Sequence, residues 1–332
     1  MVPNNHKNLE SFDDNSILPL DQELAKEQGV DHISCFGGKS DSPNARCALW
    51  WTGTPSLEGK KTGYIGQFTA IDKGSASGLL EQSCQILAEH GADLAIGPID
   101  GNTWRNHRLV VEGSERLPFF MEPRNPLDWP KYFIENHFHI IANYSSSTVD
   151  LSVPLENSST FDKTRHRLIE KNKILIRQID TNRFEEELRK IFIMARESFR
   201  QNFLYQPITE TEFIATYRKI EPVLDPEFVR IAEFEGQIVG FIFAVQDMEG
   251  IDQSGKKNPA IIIKTLAAQR GYHFAGLGSL LVREVHEHAL ELGHSEVIHA
   301  LQYEHNTSLK INARCGAKTF RRYALFARKL KS

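Results

Sequence analysis

Apolar positions along the chain change their period several times, and each change predicts an element. At 45–52 (ARCALWWT) and 62–71 (TGYIGQFTAI) short strand-like runs flank Gly53-Thr54-Pro55, which predicts two strands joined as a hairpin. At 75–90, Leu79, Leu80, Ile86 and Leu87 recur at helical spacing and Gly91 ends the run. Strands are predicted at 92–99 and 137–144, and Asp128 with Pro130 two residues on predicts a short helix. Ahead of these, a short helix is predicted near 21–28, after a loose polar terminus. From 144 to 165 the chain is rich in Ser, Thr and Asn, the composition of a boundary.

The pattern then restarts. A strand at 173–178 precedes an amphipathic helix at 183–199 with Phe184, Leu188, Ile191, Phe192, Ala195 and Phe199 on one face. Thr209 with Glu212 three residues on is a capping box that opens a second helix. Runs at 228–234 and 237–245, joined by Glu235-Gly236, read as a hairpin. A β-branched strand at 260–263 follows, then a glycine loop. Next come a helix from Ser279 to Gly293, a strand at 296–302, a short helix at 306–315 and a strand at 318–329.

The glycine loop is where the chemistry concentrates. Glycines that open a helix leave backbone N–H groups unpaired at the positive end of its dipole, a seat for a phosphate or pyrophosphate. The loop contains no Gly-Lys-Ser/Thr triplet, which excludes a P-loop at this position. Gly276 lies well past the strand end and Leu281 stands where a third glycine would be, which argues against a dinucleotide fold. A plain strand-turn-helix with packing glycines is the alternative.

The loop His273-Phe274-Ala275-Gly276-Leu277-Gly278 resembles the coenzyme A pyrophosphate loop of the GNAT superfamily of N-acetyltransferases, R/Q-x-x-G-x-G/A, with His273 in place of Arg or Gln. The element order of 173–330, the hairpin AEFEGQIVGFIFAV, Asn306 and the CGA at 315–317 resemble the same family. The fold class implied is α/β (α+β), a mixed, mostly antiparallel twisted sheet flanked by helices. The first half echoes the second: GLLEQSCQILAEHG beside SLLVREVHEHALELG. Two GNAT-like modules in tandem are therefore expected. Residues 1–150 would be a degenerate module, 151–172 a linker and 173–332 the catalytic module. Asp72-Lys73-Gly74-Ser75 replaces the glycine loop in the first module, so that module is expected to have lost the cofactor and to shape the substrate side.

Composition narrows the partners. The chain has 332 residues, 40% apolar and 25% charged, with net charge −4, which gives no basic footprint for nucleic acid. Its four cysteines form no C-x-x-C pair, so no metal site or disulfide framework is expected. The absence of a long apolar run predicts no membrane span and a cytoplasmic protein, monomer or homodimer.

The resemblance implies acetyl-CoA, or another acyl-CoA, as co-substrate and a small-molecule or peptide amine as acceptor. The amides from Phe274 to Ser279 (Phe274, Ala275, Gly276, Leu277, Gly278, Ser279) would hold the pyrophosphate, with His273 adding charge. Leu266, Ala267 and Ala268 would meet the pantetheine arm and the carbonyl, and Asn306 would contact the cofactor. The family's usual acid, a tyrosine in the helix after Asn306, is missing, and Asn312 lies nearest its place. Tyr303 and Tyr323 are substitutes, or solvent. For the base, Glu304, His299 and Glu233 are candidates, beside bulk water. Trp104, Trp129 and Tyr205 suit either a pocket or the core. The basic tail of Arg321, Arg322, Arg328, Lys329 and Lys331 reads as a solvated strand, with electrostatic attraction of coenzyme A phosphates as the alternative.

Overall fold

The computed structural model describes residues 17–39, 41–153, 159–249 and 260–330. The expected loose terminus and Lys331 lie outside these residues. In the first half, helix α1 (Gln22–Glu27), capped by the Asp21 carboxylate, precedes strands β1 (His32–Phe36), β2 (Ala45–Trp50) and β3 (Thr62–Ala70). Helix α2 (Lys73–Glu89), strands β4 (Leu94–Gly97) and β5 (Leu109–Glu112), helix α3 (Trp129–Glu135) and strand β6 (His139–Asp150) follow. Two elements were not predicted. β1 is a short edge strand with one buried residue, and β5 lies inside the insertion after β4. β6 also runs six residues beyond the expected end, because its Ser-Thr stretch is paired on both sides rather than looped.

The expected linker carries helix α4 (Ser159–His166), continued by a π turn to Lys171. The second half then takes the predicted order: β7 (Leu175–Gln178), α5 (Phe184–Phe199), α6 (Glu210–Arg218), β8 (Val229–Phe234), β9 (Gln237–Gln246), β10 (Ile261–Ala268), α7 (Leu277–Glu291), β11 (Glu296–Tyr303), α8 (Leu309–Arg314) and β12 (Lys318–Lys329). The Thr209 hydroxyl accepts the Glu212 amide at 3.1 Å, as its capping box requires.

Among the described residues the strands form one sheet, β1-β2-β3-β4-β12-β6-β11-β10-β9-β8-β7, with β5 on β12. Two parallel pairs stand out in it, β3 with β4 and β10 with β11. Each sits at the same place in its half, the duplication expected from the internal echo. Between them the halves exchange strands. β6 of the first half pairs with β11 of the second, and β12 of the second pairs with β4 of the first. β6 and β12 then pair with each other along most of their length. Buried Leu277, Leu280, Leu281, Val282, Val285 and Ala289 seat α7 on one face of the sheet, while α5 and α6 cover the other. Each such aliphatic side chain contributes about 1.5–3 kcal/mol by leaving water. No helix among the described residues is long and apolar enough to cross a membrane.

Candidate functional site

The second half's parallel pair is short. β10 and β11 are paired only over Ile261–Ile263 and Val297–His299, and β10 then continues to Ala268 against β9 alone. The strands part at Lys264, where β10 carries a bulge between Ile263 and Thr265. Backbone groups in an antiparallel pair alternate between the two edges. The Gln269 amide donates to Val239 at 2.7 Å, so the Ala267 amide faces β9 as well. That turns the amides of Leu266 and Ala268 toward the parted edge. Of the three residues expected there, Ala267 spends its amide inside the sheet.

The glycine loop lies just beyond. Gly276 is the N-cap of α7 with φ +88°, a conformation that side chains strain, and no side chain caps this helix. The amides of Phe274 and Ala275 are used within the turn, on Gly271 at 3.2 Å and Tyr272 at 3.3 Å. This corrects the six-residue set: the amides without an acceptor among the described residues are those of Gly276, Leu277, Gly278 and Ser279. They crowd the positive end of α7, which suits an anion.

Helix α4 and the turn after it hold the loop from behind. Arg167 donates to the carbonyls of Tyr272 (3.4 Å), His273 (3.3 Å) and Ala275, and the Asn172 side chain donates from Nδ2 to His273 O at 2.6 Å. In a planar trans peptide the N–H points opposite to the C=O. Clamping the Ala275 carbonyl on the α4 side therefore aims the Gly276 amide away from it, toward the open side. Replacing Arg167 by Ala frees the loop, and we expect coenzyme A binding to weaken roughly three- to tenfold, or about 1 kcal/mol. Titration calorimetry reads this directly; an unchanged affinity would mean the loop holds its shape alone.

A cavity of about 840 Å³ opens where β10 and β11 part. Both halves line it. Trp104, Arg108 and Tyr144 come from the first, Phe213, Lys264 and Tyr303 from the second. The insertion after β4, together with β6, thus supplies one wall of the cleft. Trp104 and Tyr205 line this space, whereas Trp129 packs in the first half's core. Among the described residues no group of His, Cys, Asp or Glu is arranged to hold a metal.

The expected acid–base residues separate. Tyr303 lines the cavity, stacked on Phe203 with centroids 5.6 Å apart, and burial pushes its phenol up. His299 also lines the cavity but has both ring nitrogens engaged. One meets Asn312 Oδ1 at 2.6 Å and the other His286 Nε2 at 2.9 Å. The chain continues from Asn312 Nδ2 to Gln302 Oε1 at 2.6 Å and from Gln302 Nε2 to Ser308 Oγ at 2.8 Å. Following its donors backward, His299 carries its proton on Nδ1 and accepts from His286. Burial holds both imidazoles low, so His299 is a neutral ring tied into the frame.

Glu304 accepts the amide and side chain of Asn143, at 2.9 and 3.0 Å, outside the cavity. Tyr323 is fully buried between Ser146 and Glu122, with its phenol pushed up by burial. Neither presents a proton-transfer group to the cleft. Glu233 is held by Arg177 at 2.6 Å and does not line the cavity. Asn306 lines the cavity and accepts the Ser308 amide at 2.9 Å, shaping the turn into α8. The His273 ring packs on Phe234, with centroids 4.6 Å apart, and only its carbonyl enters the loop's bonding.

Arg321 is not the solvated tail residue expected from its neighbours. It is 2% exposed and paired with Glu122, itself buried, beneath the insertion. Among the cavity residues that sequence reading did not single out are Arg108 and Lys264. A lone lysine inside the apolar run IIIKTLAA was a signal for one of them. Nothing local marks the other.

The first half's counterpart is closed. Asp72 caps α2 through the Ser75 amide at 2.7 Å, placing a carboxylate where an anion would sit. At the parting of β3 and β4 the Ile99 amide donates to Ile65 O at 2.9 Å, and the Gln67 amide donates to Asp100 at 2.6 Å.

Residues 188–316 match the family described as Acetyltransferase (GNAT) family. The chain is 22% identical over 302 residues to Protein YghO of Escherichia coli (strain K12), covering 82% of this chain and 75% of that one. It is 19% identical over 204 residues to a bacterial ceramide synthase of Caulobacter vibrioides (strain NA1000 / CB15N). That match covers 58% of this chain and 52% of the relative, about half its length. Among solved structures, a GCN5-related N-acetyltransferase from Sphaerobacter thermophilus is similar in fold. The TM-score is 0.52 at 13% identity, over 93% of this chain and 85% of that one.

Proposed function

We propose that the chain, whose residues 188–316 match the Acetyltransferase (GNAT) family, is an acyl-coenzyme A-dependent N-acyltransferase. The observation that carries this reading is continuity. Four amides without acceptors at the start of α7 lead along the unpaired edge of β10 into one cavity between the halves. A diphosphate would take the amides of Gly276 to Ser279, and the pantetheine arm would pair with the edge at Leu266 and Ala268. The acyl-CoA supplies an activated acyl carbon. A neutral amine attacks that carbon, the C–N bond forms and the C–S bond breaks. The nitrogen gives up one proton, and the departing thiolate takes one. Of the two tyrosines expected from the sequence, Tyr303 is the one that lines this space, so it is the proton donor in this reading, with solvent as the acceptor of the amine's proton. An amide aimed from Leu266 or Ala268 meets the developing oxyanion.

The first half contributes walls rather than a second cofactor site, since Asp72 already fills the corresponding helix terminus. The cavity's aromatic wall of Trp104, Phe199, Tyr205 and Phe213 suits an apolar body. The likeness to a bacterial ceramide synthase points the same way, because ceramides are amides of long-chain amines. A second reading is a non-catalytic acyl-CoA-binding protein, favoured by α8 lacking a tyrosine. Release of free thiol from acetyl-CoA and longer acyl-CoAs, in the presence of an amine panel, separates the two. Amine-dependent release is expected. Binding of acyl-CoA with no release for any amine would leave the second reading standing.

A further inference from the structure

Among the described residues, two cations that are not exposed, Arg108 and Lys264, face the cavity without a carboxylate of their own; the third unpaired one, Arg270, is exposed and meets Gln201. Arg108 comes from the insertion of the first half and sits at φ +96°, a strained position for a side-chain-bearing residue. Its guanidinium lies 4.1 Å from the centroid of the Tyr144 ring. Nη1 donates to Leu301 O at 3.1 Å and Nε to the neighbouring His107 O at 2.6 Å. These are carbonyl partners, and they leave the guanidinium's charge uncompensated. Lys264 is the bulge residue where β10 leaves β11, and its Nζ donates to Met121 O at 3.0 Å. Both residues line the cavity, one from each half of the chain.

The neighbouring carboxylates are committed elsewhere. Glu122 is bound by Arg321 and Tyr323, Glu212 is paired with Arg105 at 2.6 Å, and Asp100 accepts the Gln67 amide at 2.6 Å. The two cations also feel each other. Burial first, then the Arg108 charge, pulls the Lys264 amine down to about 7, and burial pulls Arg108 down to about 10. Keeping two half-buried cations together without a counter-ion among the described residues is costly, and an anion brought in by a ligand relieves that cost. A transient oxyanion already has the amides of Leu266 and Ala268, so the resident charge suits a resident anion.

We propose that Arg108 and Lys264 form the seat of an anionic oxygen group on the acceptor, beside the amine that is acylated. This rests on the acyl-transfer reading and narrows its acceptor to amines that carry a carboxylate or phosphate. The same positive floor disfavours a second cation, so an amine bound next to it is held neutral, as nucleophilic attack requires.

The test uses the full chain and two readouts. N-Decanoyl phenylalanine, its methyl ester and N-decanoyl aminoethyl phosphate are titrated by calorimetry, independently of turnover. The acid or the phosphate is expected to bind at least tenfold more tightly than the ester, and the ranking of those two identifies which group is seated. Arg108→Gln should erase that preference and Arg108→Lys should keep part of it, with coenzyme A affinity changed less than twofold in both. In thiol-release assays, phenylalanine should exceed its methyl ester through KM, and Arg108→Gln should abolish that difference. Equal binding of acid and ester by the unaltered protein overturns the proposal. So does an Arg108→Gln variant that lowers kcat equally for both acceptors, since the guanidinium would then serve the reacting carbonyl. Absence of thiol release with the binding preference intact would sink the transferase reading and leave the anion seat in place.

Discussion

Gly276→Glu is expected to abolish coenzyme A binding. Three effects add at this position. The residue sits at φ +88°, where any side chain costs about 1–2 kcal/mol. A Cβ there would lie 2.6 Å from Thr164 Cγ2 on α4, so the loop or the helix must shift. The new carboxylate would then stand beside the amides of Leu277, Gly278 and Ser279, taking the place of the ligand's own negative charge. Hydrogen bonds to a charged acceptor are worth about 1.5–3 kcal/mol each, so losing two of them lowers affinity by roughly 10²–10⁴-fold. Calorimetric titration with coenzyme A measures this, and a melting temperature near that of the unaltered protein shows that the change is local. Gly276→Ala carries the strain without the charge and should fall between. If Gly276→Glu binds as tightly as the unaltered protein, the diphosphate is held elsewhere and the cleft has another occupant.

How far the sequence discloses this site depends on the range of each interaction. The loop is legible because its cause is local: glycines between a strand and an amphipathic helix leave amides unpaired wherever the chain goes. The Thr209 half of the capping box and the hairpin at Glu235-Gly236 are equally short in range and form as read, while the Glu212 carboxylate turns to Arg105 instead of back to Thr209. The strand exchange is not legible. KTFRRYALFARK has the same pattern whether β12 pairs inside its own half or between β4 and β6, because apolar spacing fixes faces and not neighbours. The misreadings of Arg321 and Tyr323 follow from that. Both residues look like an ordinary last strand, and both are buried only because the insertion of the first half, with Glu122, folds over them. Arg108 is hidden for the same reason, since its contact with Leu301 bridges 193 positions of chain. Glu304 illustrates the converse. It follows the strand at the expected place, yet Asn143 from the exchanged strand binds its carboxylate.

Arg321→Met should be the most destabilising single change among the residues considered, and it tests the exchange itself. Arg321 is on β12 and Glu122 on the insertion of the first half, with 2% and 6% of their surfaces exposed. Arg321 also donates to the carbonyls of Gly113, at 3.0 Å, and Arg116. Removing the guanidinium leaves Glu122 buried with only Tyr323 and the Phe119 amide as partners. Burial already pushes this carboxyl up, and without the cation it rises further. An uncompensated buried charge of this kind costs about 3–5 kcal/mol, which corresponds to a fall in melting temperature of roughly 5–15 °C. Adding Glu122→Gln removes the charge while keeping an acceptor for Tyr323, so the double variant should recover more than half of the loss. A loss below about 1 kcal/mol would show that water reaches the pair. The shape of the transition matters as much as its midpoint. Because β6 and β12 each pair across the two halves, both halves should melt together, before and after the substitution. Two separate transitions would mean that each half closes its sheet with its own last strand, and the wall that Arg108 brings to the cavity would then have no fixed place.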